Sequence, residues 1–311
     1  MTVRLVCIGD SFTEGMCDEL RPDGQYLGWA DRVARALAHA GGANAGGAKG
    51  ETVEYANIAV RGKLLDAVVA QQLPVAAAMK PTIATFHAGP NDVLRPRTDL
   101  ADLFTRYRRA VSQVGATAEQ VVLFTSIGRA GGTGRVAQGV ADRFARFNDN
   151  VRAVAADEGA TVIDLERVAV LSDRRLWHTD RLHLNAAGHL RVAAAVLGQL
   201  GVLMDPHGEV VLGAPPVPQP GEATAFVSEP QPAGSVRTHT DRPHTGSADP
   251  DWWQAPLPPS QPVGRPTAVA ADLAWIYSFL VPWLGRRLRG TSSGDGREPK
   301  DAELRVVKPE L

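Results

Sequence analysis

The alternation of apolar runs with helical stretches, from residue 3 to about residue 200, constrains the fold more than any other feature of this chain. Apolar residues within the longer stretches repeat at spacings of three and four, as in helices packed on one face. Strands alternating with helices form right-handed β-α-β units, which give a parallel sheet covered on both faces. The predicted strands cover residues 3–8, 53–60, 82–88, 120–127 and 160–165, and the clearest helical stretches cover 29–40, 63–79, 99–114 and 185–200.

This pattern predicts an α/β fold, a three-layer flavodoxin-like sandwich with a five-stranded parallel sheet in the order 2-1-3-4-5. In this order strand 2 lies on one side of strand 1 and strand 3 lies on the other, so the strand order switches direction between strands 1 and 3. The loops that follow these two strands, at residues 9–15 and 89–92, are therefore expected to lie side by side. Ligands bind at such a reversal, outside the carboxyl ends of the strands.

Composition divides the chain into three predicted parts: an α/β domain over 1–205, a Pro/Gly-rich linker over 206–268, and a C-terminal segment over 269–311. The last part holds an amphipathic helix over 271–289, which Pro282 should kink, followed by a polar tail that is expected to fray. This helix is expected to pack back over the domain. Its aromatic residues and basic end are also typical of a helix that lines a pocket or lies on a membrane surface.

The composition suits a large core, because 44% of the residues are hydrophobic. A net charge of −1 argues against nucleic acid as a partner. The two cysteines, Cys7 and Cys17, indicate no disulfide framework, and Cys7 is expected to be buried in a strand. No apolar run approaches the ~20 residues of a membrane span. Because the first polar motif begins within ten residues of Met1, no secretory leader is expected and the predicted location is cytoplasmic.

Ser11 follows the first predicted strand, in the segment GDSFTEG of residues 9–15. A serine in this position is also typical of a turn or a helix cap. It becomes a nucleophile only beside a base, an orienting acid and donors for developing negative charge. Asp180-x-x-His183, after the fifth strand, offers the acid and the base at a spacing that lets the carboxylate reach the imidazole Nδ1.

Two other histidines compete for the role of base. His178 has no acid three residues before it, and His189 falls inside the predicted helix 185–200, so both are weaker candidates than His183. The pair Asp180–His183 itself is also typical of a surface cap on that helix.

Three groups are candidate donors to an oxyanion: the backbone N–H of Ser11, the backbone N–H of Gly62 and the side-chain amide of Asn91. Gly62 follows the second strand, where the missing Cβ permits close approach to a ligand. It is also typical of a helix entry, and Asn91 is also typical of an Asx turn.

Together these segments resemble the SGNH (GDSL-type) hydrolase superfamily of esterases and lipases. The resemblance covers roughly residues 3–200 and consists of four blocks in order: Gly-Asp-Ser at 9–11, Gly62, Gly89-x-Asn91-Asp92, and Asp180-x-x-His183. Phe12 stands where the family name implies leucine.

The resemblance implies that Ser11 attacks an acyl ester, with His183 as base and Asp180 as orienting acid. It also implies that the Ser11 and Gly62 N–H groups and Asn91 stabilise the oxyanion. Asp10 and Asp92 would order the loops, and no metal or organic cofactor would be needed; no histidine or cysteine cluster in the sequence has metal-ligand spacing. The expected partner is a small-molecule acyl ester. Acyl transfer to a sugar or metabolite hydroxyl is an alternative, and a non-catalytic binding module is a weaker one.

Two further motifs lack the required context. Residues 290–294 match G-x-S-x-G but follow no predicted strand and precede no histidine. Residues 132–137 resemble a dinucleotide fingerprint but follow the fourth strand and lack a suitably placed acid. The walls of the site are expected to come from loops at 16–28, 93–98 and 128–138.

Overall fold

The computed structural model describes residues 2–42, 52–127, 134–211, 249–260, 272, 274–282, 285, 289 and 291–308. Its centre is a six-stranded sheet. The strands are β1 (Thr2–Gly9), β2 (Thr52–Asn57), β3 (Ile83–His87), β4 (Gln120–Phe124), β5 (Thr161–Ile163) and β6 (Asp301–Val306), in the order β5-β4-β3-β1-β2-β6. Strands β1 to β5 pair in parallel in the predicted order, whereas β6 pairs antiparallel with β2.

Eight α-helices lie between residues 11 and 199 in the part of the chain that the structure describes. They are α1 (Ser11–Glu14), α2 (Gly28–Gly42), α3 (Leu65–Gln71), α4 (Leu73–Met79), α5 (Pro90–Val93), α6 (Leu100–Gly115), α7 (Arg135–Glu158) and α8 (Ala186–Gln199). Short 3-10 turns cover Leu165–Arg167, Ala169–Ser172, Arg174–Leu176 and Trp252–Gln254, and a π-helical turn covers Ile276–Leu280.

Both faces of the sheet are buried, as the three-layer prediction requires. Alternate residues of β1 point to opposite faces. Leu5 and Cys7 belong to the core packed on α2 and α8, and Val6 and Ile8 to the core packed on α3, α4, α6 and α7. Cys7 is fully buried as expected, and burial raises the pKa of its thiol to about 12.

The helical elements differ from the prediction in two places. The stretch 63–79 forms two helices, with Pro74 in the first turn of α4, where its missing N–H costs no hydrogen bond. The predicted loop 128–138 is wrong from Arg135 onward, because α7 begins there. Residues 128–133 lie outside the described residues.

The expectation of a polar, frayed tail is wrong, because Asp301–Val306 form β6, a sixth strand beside the five predicted parallel ones. This strand pairs through its backbone with β2 at the edge of the sheet. Asp301 at its start is buried and accepts a hydrogen bond from Arg21 Nη1 at 2.8 Å. A polar segment can therefore be ordered without apolar periodicity, since backbone pairing and an ion pair hold it.

Part of the predicted linker packs against α8. Trp252 Nε1 donates to the Met204 carbonyl at 2.6 Å, and Arg191 Nη1 donates to the carbonyls of Trp252, Trp253 and Ala255. Residues 212–248 and 261–268 of the predicted linker, and 269–271 of the predicted C-terminal segment, lie outside the described residues, so the domain boundaries stay predictions. Residues 274–282 are helical, whereas 283–284, which follow the predicted kink at Pro282, are not described. Among the described helices, none has the length and apolarity to cross a membrane.

Candidate active site

The turn after β1 presents Ser11 at the carboxyl edge of the sheet. Ser11 is the first residue of α1, and Asp10 caps this helix by accepting a hydrogen bond from the Phe12 N–H at 3.1 Å. Because β1 lies between β2 and β3, the loops that follow all three strands meet here. Ser11, Gly62 and Asn91 line one cavity at this edge.

Ser11, His183 and Asp180 form a continuous chain of hydrogen bonds. His183 Nε2 lies 3.0 Å from Ser11 Oγ, and His183 Nδ1 lies 2.7 Å from Asp180 Oδ2. An ionised carboxylate only accepts hydrogen bonds, so Nδ1 carries the proton when the imidazole is neutral. Nε2 is then the acceptor for the Ser11 hydroxyl. The arrangement orients an unprotonated nitrogen at the serine, as a general base requires.

Asp180 is held in its ionised form. Burial favours the neutral carboxyl, but the hydrogen bond and charge of His183 and the backbone N–H groups of Leu182 and His183 outweigh it and hold the pKa of Asp180 well below its usual range. Asp180 Oδ1 accepts these backbone bonds at 2.9 Å and 3.1 Å. The carboxylate is thus fixed in direction as well as in charge.

The candidate oxyanion donors line the same cavity but differ in whether they already donate hydrogen bonds. Among the described residues, neither the Ser11 N–H nor the Gly62 N–H donates a hydrogen bond to another group. Gly62 has a φ of 72°, in the left-handed region that favours glycine. The Asn91 amide is engaged: Nδ2 donates to Asp10 Oδ2 at 3.1 Å and to the Lys63 carbonyl at 3.0 Å.

Asp10 and Asp92 connect the loops of the site. Besides capping α1, Asp10 accepts from Asn91 and lies 3.3 Å from His87 Nδ1. Asp92 Oδ2 accepts from the Leu65 N–H at 2.9 Å, at the start of α3, and burial raises the pKa of its carboxyl. Each carboxylate therefore contacts a second loop or helix, and its role in ordering the site stays a prediction.

Residues 7–191 match the model of the GDSL-like lipase/acylhydrolase family. The match spans all four sequence blocks and more than half of the chain. The chain belongs to this family. It is therefore an ester-cleaving enzyme, as the resemblance in its sequence implies. No match was found among curated protein sequences.

Several solved structures of other hydrolases share the fold. A lipase/acylhydrolase from Enterococcus faecalis is 21% identical, with a TM-score of 0.50 over 63% of this chain and 93% of its own. The acetylxylan esterase Axe2 from Geobacillus stearothermophilus is 20% identical, with a TM-score of 0.50 over 63% of this chain and 92% of its own. LAE5, an α/β hydrolase from the metagenome of Lake Arreo in Spain, is 21% identical, with a TM-score of 0.50 over 63% and 93%.

The cavity of this GDSL-family enzyme has a volume of about 480 Å³, within the range of small-molecule sites. Two of the three predicted loops border it, through Met16, Cys17 and Tyr26 and through Leu94 and Arg95. Many of its other lining side chains are apolar: Phe12, Leu64, Ile127, Phe144, Trp177, Leu182, Leu184, Trp275 and Phe279.

The competing histidines are not hydrogen-bonded to Ser11. His189 is almost fully buried in α8, its Nε2 lies 3.2 Å from the Met16 carbonyl, and burial lowers the pKa of its imidazole to about 4. His178 Nδ1 accepts from the Asp180 N–H at 3.3 Å. His183 is the histidine whose ring nitrogen lies within hydrogen-bond distance of Ser11 Oγ.

Sequence reasoning missed a buried ion pair behind the site. Arg61 Nε donates to Glu14 Oε1 at 2.8 Å, and the Arg61 N–H donates to Glu14 Oε2 at 2.7 Å. The pair connects the helix that carries Ser11 to the residue before Gly62. An acid and an arginine 47 positions apart give no periodic signal.

Cys17 was expected only to be unpaired, but its thiol contacts the candidate acid. Sγ lies 3.5 Å from Asp180 Oδ2, and burial together with the Asp180 charge raises the pKa of the thiol to about 12. The metal-ligating atoms of Cys17, His178 and Asp180 lie within 4.8 Å of one another, although their sequence spacing shows no such cluster. Asp180 Oδ2 is already bonded to His183, so a cation there would compete with that bond.

Proposed function

We propose that the protein hydrolyses carboxylic (acyl) esters through an acyl-enzyme formed on Ser11. The observation that carries the proposal is the hydrogen-bond chain from Ser11 Oγ to His183, at 3.0 Å, and from His183 to Asp180, at 2.7 Å. A nucleophile, a base and an orienting acid within hydrogen-bond reach of one another define this class of catalysis.

Acylation begins when Ser11 Oγ attacks the carbonyl carbon of the ester. His183 Nε2 takes the hydroxyl proton, and the carbonyl π electrons move onto oxygen. Asp180 stays ionised and stabilises the imidazolium. The tetrahedral intermediate then re-forms its C=O bond and expels the alcohol, which takes the proton from His183.

The negative charge on the carbonyl oxygen is stabilised by the N–H groups of Ser11 and Gly62. Asn91 is the third predicted donor, and it would have to share a hydrogen that it now donates to Asp10 or Lys63. Asp10 and Asp92 support the site by fixing the loops. No step of this mechanism calls on a metal or an organic cofactor.

Deacylation repeats these steps with water as the nucleophile. His183 Nε2 removes a proton from water, the hydroxyl oxygen attacks the acyl carbon, and Ser11 Oγ leaves with the proton from His183. The products are a carboxylic acid and the regenerated serine. If a hydroxyl compound replaces water, the same acyl-enzyme gives a new ester, which is the transferase alternative.

The proposal is tested by the hydrolysis of p-nitrophenyl esters from acetate to decanoate, by wild type and by Ser11→Ala. Acetylated xylan fragments belong in the same panel, because one structural neighbour is an acetylxylan esterase. We expect Ser11→Ala to lower kcat by at least ~10⁴-fold. Equal rates for the two folded proteins would overturn the proposal. A product that forms only when a sugar is added would favour acyl transfer over hydrolysis.

A further inference from the structure

The C-terminal strap, defined as the described residues 272, 274–282, 285, 289 and 291–306, lies beyond the family match, which ends at residue 191. Its far end is fixed to the domain by β6. Lys300 Nζ donates to the carbonyls of Tyr26, at 2.8 Å, and Leu27, at 3.0 Å. It also pairs with the buried Asp31. These contacts lie beside the loop that borders the cavity.

The strap contacts the loop that holds Gly62. Ser292 Oγ donates to the Gly62 carbonyl at 3.1 Å. A Cβ at Gly62 would come within 2.2 Å of that hydroxyl, and a Cβ at Gly294 would come within 1.9 Å of the Arg61 carbonyl oxygen. The approach is so close that a side chain on either glycine would separate the two segments.

The strap also contacts the loop that holds the acid and the base. Trp275 Nε1 donates to the Asp180 carbonyl at 2.8 Å. Asp272 pairs with Arg181 at 2.6 Å, and the Arg181 guanidinium lies 5.0 Å from the centre of a Trp275 ring. Two separate parts of the strap therefore contact the two loops on which catalysis is proposed to depend.

Five strap residues line the cavity that contains Ser11 and His183: Trp275, Phe279, Thr291, Ser292 and Ser293. Phe279 is half-buried on the cavity, whereas Tyr277, two residues earlier, is 74% exposed. The strap thus adds two aromatic rings to a cavity whose lining from the domain includes Leu64, Leu94, Ile127 and Phe144.

We propose that the strap is part of the substrate site, and that Phe279 and Trp275 close an apolar pocket for a medium-length acyl chain. The inference rests on the proposed function, because it assigns the cavity beside Ser11 to the acyl group. A cavity of about 480 Å³ whose lining surface is mainly apolar is larger and less polar than an acetyl group needs. Each buried CH₂ group of the chain contributes about fourfold to binding.

The test compares kcat/KM for p-nitrophenyl decanoate and butyrate in full-length Phe279→Ala, Phe279→Trp and wild type. Phe279→Ala enlarges the pocket, so the decanoate-to-butyrate ratio is expected to rise at least about tenfold. Phe279→Trp fills the pocket, so the ratio is expected to fall. Tyr277→Ala is the matched control, since its side chain is exposed on the same helix, and it should keep the wild-type ratio.

An unchanged ratio in both Phe279 variants, or the same shift in Tyr277→Ala, would overturn the inference. Ser11→Ala distinguishes a failure of this inference from a failure of the proposed function. If Ser11→Ala is inactive while the decanoate-to-butyrate ratio is unchanged in the Phe279 variants, only the role of the strap is wrong. Calorimetric binding of decanoate and butanoate to Ser11→Ala, with and without Phe279→Ala, measures the same selectivity without turnover. The ratio of decanoate affinity to butanoate affinity is expected to rise in the double variant, and an unchanged ratio would count against the pocket.

Discussion

The catalytic domain, which we assign to residues 1–205, and the C-terminal strap line the same cavity with different groups. The domain supplies the polar chain Ser11–His183–Asp180 and the candidate oxyanion donors. The strap supplies Trp275 and Phe279, together with hydrogen bonds to the carbonyls of Asp180 and Gly62. We therefore assign chemistry to the domain, and substrate selection and loop positioning to the strap. Substitutions in the two regions should change different kinetic parameters.

The largest effect is expected in the domain, from Asp180→Asn. The amide cannot hold the Nδ1 proton as the carboxylate does, so the imidazole adopts the wrong tautomer and kcat falls by about 10⁴-fold. The measurement is kcat for p-nitrophenyl butyrate. Asp272→Asn is the control, because it removes a mostly exposed carboxylate that pairs with Arg181 on the same loop. A loss in Asp272→Asn as large as in Asp180→Asn would contradict the division between the two regions.

The next effect concerns the stability of the domain. Glu14→Gln leaves the Arg61 guanidinium buried without its carboxylate, which is expected to lower the free energy of unfolding by about 3–5 kcal/mol. Asp102→Asn removes an exposed partner of Arg106 and should cost less than ~1 kcal/mol. Urea denaturation of both variants gives the comparison. Similar losses would show that the buried pair has no special role in holding the Ser11 and Gly62 loops together.

A pH-dependent effect is expected from His189, which burial keeps neutral. Its pKa is lowered from 6.5 to about 4, so below pH 6.5 the unfolded chain binds a proton that the folded protein does not. Above pH 6.5 His189 does not lower the free energy of unfolding. As the pH drops to 4, its protonation in the unfolded chain lowers that free energy by up to about 3 kcal/mol. His189→Gln should flatten the pH dependence of unfolding in this range, and the exposed His207→Gln should not.

His189 also sharpens the comparison between regions, since it belongs to α8 in the domain. A strap variant such as Phe279→Ala should leave the decrease in the free energy of unfolding between pH 6.5 and pH 4 unchanged. If His207→Gln flattens the profile as much as His189→Gln, the assignment to the buried imidazole is wrong.

The smallest effect is expected in the strap, from Trp275→Phe. This substitution keeps an aromatic ring beside Arg181 but removes the hydrogen bond to the Asp180 carbonyl. A neutral hydrogen bond is worth about 1 kcal/mol, so kcat should fall by roughly fivefold if the bond positions the loop. A positioning role predicts a change in kcat with little change in KM for butyrate. A change in KM alone would indicate that Trp275 acts only on the substrate.

Sequence reasoning anticipated the domain better than the strap for a physical reason. Elements such as β1 and α6 can be recognised by periodic burial of apolar residues, and their order determines which loops meet. The approach of Ser11, Gly62 and Asn91 to one cavity follows from that order. The pairing of Asp180 with His183 is local enough to predict from a spacing of three.

The strap was harder to predict because its order depends on partners far away in the sequence. Residues 301–306 have no strand-like apolar pattern, and Asp301 is ordered by Arg21, 280 positions earlier. Trp275 reaches Asp180 across 95 positions. Residues 290–294 lack the context of a nucleophile motif, but nothing in the sequence indicated that Ser292 would contact Gly62.

The central claim is that Ser11 carries the acyl group. The most direct measurement mixes wild-type enzyme with p-nitrophenyl butyrate, quenches in acid within milliseconds, and maps the added mass by peptide mass spectrometry. We predict a butyryl group on the peptide that contains Ser11, and its absence in Ser11→Ala. Turnover without any adduct, or an adduct on Ser292 or Ser293 in the strap, would contradict this claim.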